Sequence, residues 1–345
     1  MPENSEQGVA GAPIAFLIPF VGKWPRWSRL FFESARRQAS THFLLVCDEL
    51  PPFKLPANVR RVPSVRGVVG DIEAALGVAI GPMISGHKLC DLRPFFGIAF
   101  EEALRPYRFW GYCDVDMMLG GVESLLGAGL LDQCDVFTAH NEMCVGHFTL
   151  FRNCDRVNRL CYEIEGWHDK CKAPISRHMD ENGIAAVLTR RSDIRWVRTQ
   201  PLRQELQAGG RFGITFGFHG EVAYLLPAED AVVRWHDGRV LLSTEGGGEY
   251  EALYVHFMGT KRWWHWLSYR SGREGPHYFS KIGYGGVSDP RQLRQARWRA
   301  VYAAQCQLHN IKVCGGALLR NALPHGAYLR LRRVLRRLAE RASAG

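Results

Sequence analysis

Asp114 and Asp116 are two carboxylates one residue apart, inside the run Phe109-Trp-Gly-Tyr-Cys-Asp-Val-Asp-Met-Met-Leu-Gly120. The run opens aromatic and apolar and closes on Gly120-Gly121. Such a short, nearly uncharged stretch predicts a strand buried on both faces. Side chains alternate along a strand, so residues i and i+2 point the same way. Two carboxylates aimed at one spot repel each other unless a cation lies between them. Oxygen ligands suit Mg²⁺ or Mn²⁺. The alternative is structural, because acids just ahead of a helix are favourable at its N-terminus.

Three further groups of residues carry the types that chemistry needs. In His256-Phe-Met-Gly259-Thr-Lys261, a His at a strand end can give a nitrogen ligand to Mn²⁺. Gly259 lets backbone approach a ligand closely, and Lys261 can neutralise a phosphate as a point charge. Taken alone, these six residues read as a partly buried His, a turn and a surface Lys. His87-Lys88-x-x-Asp91-x-Arg93 precedes the acidic strand. Lys88 and Asp91 are three apart and share a helix face, so a surface ion pair is the simple explanation. Asp180-Glu181 stands at a predicted helix start, where helix capping and catalysis are both open.

The elements that must position these groups alternate along the chain. Strands are predicted at 14–20, 43–47 and 59–62, a helix at 25–38, and a helix over His87 to Leu104 that Pro94 kinks or restarts. The acidic strand follows, then a short helix from Gly120, strands at 135–139 and 147–151, and helices at 154–163 and 178–188. This alternation predicts an α/β fold with a mainly parallel sheet flanked by helices. In an open sheet of that kind, ligands bind at the carboxyl ends of the strands. Residues 211–249 change character, with His236-Asp-Gly238 as a hairpin signal, and predict an antiparallel β extension within a catalytic domain of residues 13–265. Residues 266–345 form a C-terminal extension that ends in helices.

With 46% hydrophobic and 23% charged residues, the composition is that of an ordinary globular protein and excludes global disorder. No apolar run is long enough for a transmembrane helix. The polar, acidic start lacks the basic region of a secretory signal. The ten cysteines are scattered, with no CxxC pair. Reduced thiols and a cytoplasmic protein are the expectation. The net charge of +10 is concentrated at the end: Arg320 to Gly345 holds seven Arg against one Glu. That distribution argues against a nucleic-acid face on the main domain. Leu331, Leu335, Leu338 and Ala342 fall on one side of a basic amphipathic helix. Such a helix either docks on the domain or lies on an anionic membrane surface.

The order of buried strand, DxD, Gly-flanked helix and late His-x-x-Gly-x-Lys resembles the GT-A glycosyltransferases. The segments KLCDLRPFFG and FWGYCDVDMMLG, with Gly146-His147-Phe-Thr-Leu-Phe-Arg152-Asn, are similar to a poorly characterised bacterial GT-A-like family over about residues 14–265. The late segment resembles that of glycogenin and bacterial galactosyltransferases, with one residue fewer between Gly259 and Lys261. The resemblance implies a GT-A-like, Rossmann-like sheet and transfer of a sugar from a nucleotide diphosphate, with a UDP-sugar as donor. Asp114, Asp116 and His256 would bind the metal, and Lys261 would touch the diphosphate beside Gly259. Lys88, Asp91 and Arg93 would face the nucleotide or donor sugar, and Asp180 or Glu181 would lie near the acceptor. The acceptor would be a saccharide or a lipid-linked sugar in surface polysaccharide or glycolipid assembly, met by a cytoplasmic enzyme or one peripheral on the inner membrane face. Inversion and retention stay open, with the glycogenin-like segment leaning to retention. A sugar-phosphate nucleotidyltransferase would carry a Gly-rich basic loop after its first strand, and Pro19-Phe-Val-Gly22-Lys23 is a poor version of one. A non-catalytic carbohydrate- or polyanion-binding protein on the same fold would have no need of the acidic pair.

Overall fold

The structure is a computed structural model and describes residues 14–64, 66–82, 87–140, 143–198, 213–216, 222–223, 232–243, 249–257, 275–280 and 283–286. All of them belong to the first of two units into which the chain divides, Met1–Ser288 and Asp289–Gly345. Gly259, Lys261 and the basic C-terminal segment lie outside the described residues.

Strands Ile14–Phe20 (β1), Thr41–Cys47 (β2), Val59–Arg61 (β3), Phe109–Cys113 (β4), Met117–Leu119 (β5), Val136–Thr138 (β6), Phe148–Arg152 (β7) and Trp196–Arg198 (β8) open the fold. Seven of them form one sheet in the order β3-β2-β1-β4-β7-β6-β8. β1, β2, β3 and β4 run parallel, β7 alone runs against its neighbours β4 and β6, and β6 pairs parallel with β8. The mainly parallel sheet flanked by helices is therefore present.

Its inner strands β1, β2 and β4 are buried on both faces, as their unbroken apolar runs require, while the edge strands β3 and β8 are partly exposed. Ala15 and Leu17 of β1 pack on one side with Leu44 and Val46 of β2 and with Val68 and Ile72 of helix α2, Gly67–Leu76. Ile14, Phe16 and Ile18 pack on the other with Phe43, Leu45 and with Phe31 and Phe32 of helix α1, Ser28–Ala35. Each of these Leu, Ile, Val and Phe side chains contributes about 1.5–3 kcal/mol by leaving water. Neighbouring residues of one strand thus anchor helices on opposite layers.

Several expected helices are shorter or broken. The stretch from His87 to Leu104 is a chain of turns: His87–Cys90, a 3-10 turn Arg93–Phe95, then Phe96–Ala99 and Glu101–Leu104. Pro94 occupies the first turn of the 3-10 segment, where its missing N–H removes no bond. The helix after Gly121 runs longer than expected, Val122–Gln133, with a break at Gly127. The 154–163 helix splits into Asp155–Asn158 and a 3-10 turn, Arg159–Glu163. The segment from His178 opens as a π-turn, Met179–Gly183, before Ile184–Arg190.

The predicted hairpin is present. Val232–His236 (β11) and Arg239–Ser243 (β12) are joined through Asp237 and Gly238, both with positive φ (49° and 81°). That is the backbone of a two-residue hairpin turn, and only Gly adopts it without cost. Strands Gly213–Phe216 (β9) and Val222–Ala223 (β10) precede it; Glu249–Ala252 (β13), Tyr254–His256 (β14), His277–Ser280 (β15) and Gly283–Gly286 (β16) follow. β13-β12-β11-β15-β16 make a five-stranded antiparallel sheet, so strands well beyond residue 249 join the extension. A four-stranded sheet, β10-β9-β14-β5, connects to the acidic segment.

Among the described residues no helix is long and apolar enough to cross a membrane. The eight described cysteines are free thiols, and Cys306 and Cys314 lie outside the described residues. Burial pushes the Cys90 thiol up to about 12 and raises the Cys113 and Cys144 thiols as well, so these three behave as small apolar groups.

Candidate metal centre

β4 ends at Cys113, and the chain passes through Asp114 and Asp116 before turning into β5. β5 then pairs antiparallel with β14, which sets His256 opposite Met117. The Phe257 N–H donates to the Asp116 carbonyl at 2.9 Å and closes the pairing beside the acids. This register carries His256 to the spot that the i and i+2 carboxylates face. His256 Nε2 lies 3.3 Å from Asp116 Oδ1 and 3.7 Å from Asp114 Oδ2. One ligand atom from each of the three residues fits within a span of 4.8 Å.

The ligand set suits a hard divalent ion. His256 is 1% exposed, and among the described residues neither of its ring nitrogens has a hydrogen-bond partner. Nε2 is near the carboxylates without the geometry of a bond to them. A buried imidazole left this way is costly, and a bound cation would remove the cost. Two carboxylate oxygens and one nitrogen match Mn²⁺ or Mg²⁺ better than a thiolate-seeking metal.

Arg93 shapes the neighbouring wall. Its guanidinium donates to Asp114 Oδ1 and to the Gly146 carbonyl, and donates to Asp180 Oδ2 at 3.3 Å. It also lies over the Tyr112 ring, 5.5 Å from the centroid. Holding Oδ1 of Asp114 leaves Oδ2 turned toward His256. Gly146 is required here: a Cβ would fall 2.5 Å from Asp180 Oδ2 and 2.8 Å from Arg93 Nη1.

Asp180 and Glu181 are adjacent in sequence and differ in environment. Asp180 is 3% exposed, and burial pushes its carboxyl up to about 7 despite the opposing Arg93 charge. Glu181 keeps a third of its side chain exposed, with Oε2 at 3.4 Å from His178 Nδ1. Its Oε1 accepts from the Gly146 N–H at 3.4 Å. His178 has positive φ (54°), a conformation that His adopts more readily than most residues other than glycine, immediately before the π-turn.

Lys88 and Asp91 form an ion pair at 3.2 Å, fully buried where a surface pair was the simple expectation. Lys88 also donates to the Lys170 carbonyl at 2.5 Å. Asp91 accepts from Ser176 Oγ, Arg177 N–H and Met179 N–H at 3.0, 2.7 and 3.1 Å. The pair grips the loop that delivers Asp180 and Glu181. Arg93, Asp114, Asp116, Asp180 and His256 are thus brought together; Lys88 and Asp91 stand behind them.

Residues 16–267 match the model of one protein family. The chain belongs to DUF6625, a family of unknown function. The DUF6625 match takes in every described residue of the metal cluster and of the Arg93 wall. No curated protein matches the chain. Among solved structures it is similar to a glycosyltransferase involved in the glycosylation of the major capsid of PBCV-1, at 12% identity and a TM-score of 0.36, over 72% of this chain and 94% of that one.

Two residues of the site were not singled out from the sequence as site residues. His147 stacks on His256 with ring centroids 4.3 Å apart. Its Nε2 is 2.8 Å from Tyr254 Oη. Burial, and then the neighbouring His256, holds the His147 imidazole well below its usual value. A signal existed in both cases: Tyr254 is two residues before His256 and so shares its strand face, and His147 follows the glycine that lets Arg93 meet Asp180.

Proposed function

We propose that this chain is a metal-dependent glycosyltransferase that moves a sugar from a nucleotide diphosphate, with a UDP-sugar as donor, to a saccharide or lipid-linked acceptor. The observation that carries this reading is the buried Asp114–Asp116–His256 cluster at the carboxyl end of β4, with the His256 nitrogens unpartnered among the described residues. The cluster lies beyond β4 where the sheet order reverses between β1 and β4, the place where open α/β sheets take ligands.

Asp114, Asp116 and His256 would hold Mn²⁺ or Mg²⁺. Such an ion, when bound, stabilises the charge that grows on a departing diphosphate. Lys261, following Gly259, adds a point charge to the same leaving group. Arg93 holds Asp114 in one orientation and keeps Asp180 in place. The sugar's C–O bond to phosphate breaks with its electron pair going to the diphosphate, and the acceptor oxygen forms the new bond. In an inverting course, Glu181 takes the acceptor's proton, since its carboxylate is the more accessible of the adjacent pair. Lys88 and Asp91 position the loop that carries Asp180 and Glu181.

The test is hydrolysis of a panel of UDP- and other nucleotide-sugars with and without Mn²⁺. Metal-dependent release of UDP from at least one donor is expected, and His256→Ala should lose it together with metal binding. If His256→Ala lowers only thermal stability, His256 is a core residue.

The C-terminal segment supplies a second expectation. Seven Arg against one Glu over residues 320–345 suit the anionic cytoplasmic leaflet, where each Arg near the surface contributes on the order of 1 kcal/mol. Cutting the chain after Pro324 should abolish binding to anionic liposomes and leave donor hydrolysis intact. Wild-type binding should fall steeply with salt. No wild-type binding at low salt would mean that this segment does not act at a membrane.

A further inference from the structure

We propose that His147 is a positioning residue of the metal centre, fixing the ring of His256 and the backbone of Asp114 at once. The inference rests on the metal-site reading above and names a residue outside the ligand set. Three contacts carry it. The His147 ring lies over the His256 ring at 4.3 Å, with the planes 28° apart. Its Nε2 is tied to Tyr254 Oη at 2.8 Å. Its carbonyl accepts the Asp114 N–H at 3.2 Å.

The ladder behind these contacts is buried. Tyr254 stacks on Phe148 at 5.1 Å, and Phe148 meets Phe16 of β1 at 5.2 Å. Phe16, Phe148 and Tyr254 are fully or almost fully buried. The ring of His256 therefore rests on a stack that reaches back to the first strand. Among the described residues His256 has no hydrogen bond of its own to set its ring plane. A metal-binding His is ordinarily oriented by a hydrogen bond from its other ring nitrogen, and loss of such outer partners weakens metal binding by about 10–100-fold. Here the face of His147 does that work by packing. The same residue restrains Asp114 through the main chain, so it couples two ligands that arrive from β4 and from β14.

The test uses the full chain and Mn²⁺ alone, measured by calorimetry and by the electron paramagnetic resonance of bound Mn²⁺. His147→Gln keeps a polar group for Tyr254 and removes the aromatic face; Mn²⁺ affinity should fall by about 10–100-fold. His147→Phe restores the face and should bind Mn²⁺ at least about tenfold more tightly than the Gln variant. Tyr254→Phe removes the tether without changing the stack, and should broaden the Mn²⁺ resonance and weaken binding less than His147→Gln does. Circular dichroism melting keeps unfolded protein out of the comparison, and if His147→Gln does not fold, the Tyr254→Phe result decides. Wild-type affinity in a folded Gln variant overturns the proposal, as does a Phe variant no better than Gln, or a Tyr254→Phe protein with an unaltered resonance and affinity. If wild type itself binds no Mn²⁺, the metal-site reading falls and takes this one with it; if Asp116→Asn loses the ion while His147→Gln does not, only the role of His147 falls.

Discussion

Asp116→Asn is expected to lower Mn²⁺ affinity about 100-fold, equivalent to about 2.7 kcal/mol, while the protein melts at the same temperature or higher. Asn has the shape of Asp and keeps one carbonyl oxygen, so the loop between β4 and β5 need not move. What it removes is a negative charge, 5% exposed as a side chain and 3.3 Å from His256 Nε2. Without a cation, Asp114 and Asp116 converge on one site, with Arg93 paired to Asp114 and Asp116 lying 3.3 Å from His256 Nε2. Neutralising Asp116 relieves that repulsion. The opposite signs of the two effects are diagnostic, because a residue kept for stability would lose both together. Calorimetric titration with Mn²⁺ and a melting curve on the same preparation read them. Wild-type affinity in the folded variant would remove Asp116 from the ligand set, and helix capping would not replace that role, since Gly121 caps the following helix with no side-chain bond.

The architecture was legible where the physics is local. Unbroken apolar runs at 14–20 and 109–113 indicate strands buried on two faces, and Phe16 and Leu17 indeed anchor opposite layers. The Asp237-Gly238 turn needs two residues at positive φ, and its composition announces that. The pairing of β5 with β14 was not legible: it joins segments far apart in sequence, and nothing local specifies that His256 stands opposite Met117. The residue types at the metal cluster were therefore visible, but their convergence required the fold. The Lys88–Asp91 pair shows the same limit. An i,i+3 pair looks alike on a surface and in a core, and only the packing of loop 176–179 over Asp91 makes it buried. Pro94 announced the restart at residue 93, whereas periodicity did not show the further breaks at Ala99–Glu101 and within the 3-10 turn.

Arg93→Met should give the largest loss of stability, about 3–5 kcal/mol at pH 8, because it strips a buried charge pair of one partner. Met fills much of the same volume and cannot donate to Asp114, Asp180 or the Gly146 carbonyl. Asp114 is 28% exposed as a side chain and can recover some hydration, whereas Asp180 cannot. The loss should depend on pH through Asp180. Its carboxyl is raised from 3.8 to about 7 in the folded protein, by burial first, with Arg93 pulling the other way. A raised carboxyl binds its proton more tightly folded than unfolded. Its contribution to stability is thus fully present below about pH 4 and is lost as pH rises through about 7. Removing Arg93 lifts the folded value further, so at pH 5.5 the variant's Asp180 is protonated and needs no cation. Urea denaturation should therefore show a smaller difference between variant and wild type at pH 5.5 than at pH 8. Adding Asp180→Asn should return part of the stability at pH 8 and little at pH 5.5, since the neutral amide imitates the protonated acid. An equal loss at both pH values would mean that Arg93 stabilises by packing on Tyr112, and that Asp180 carries its charge without Arg93's help.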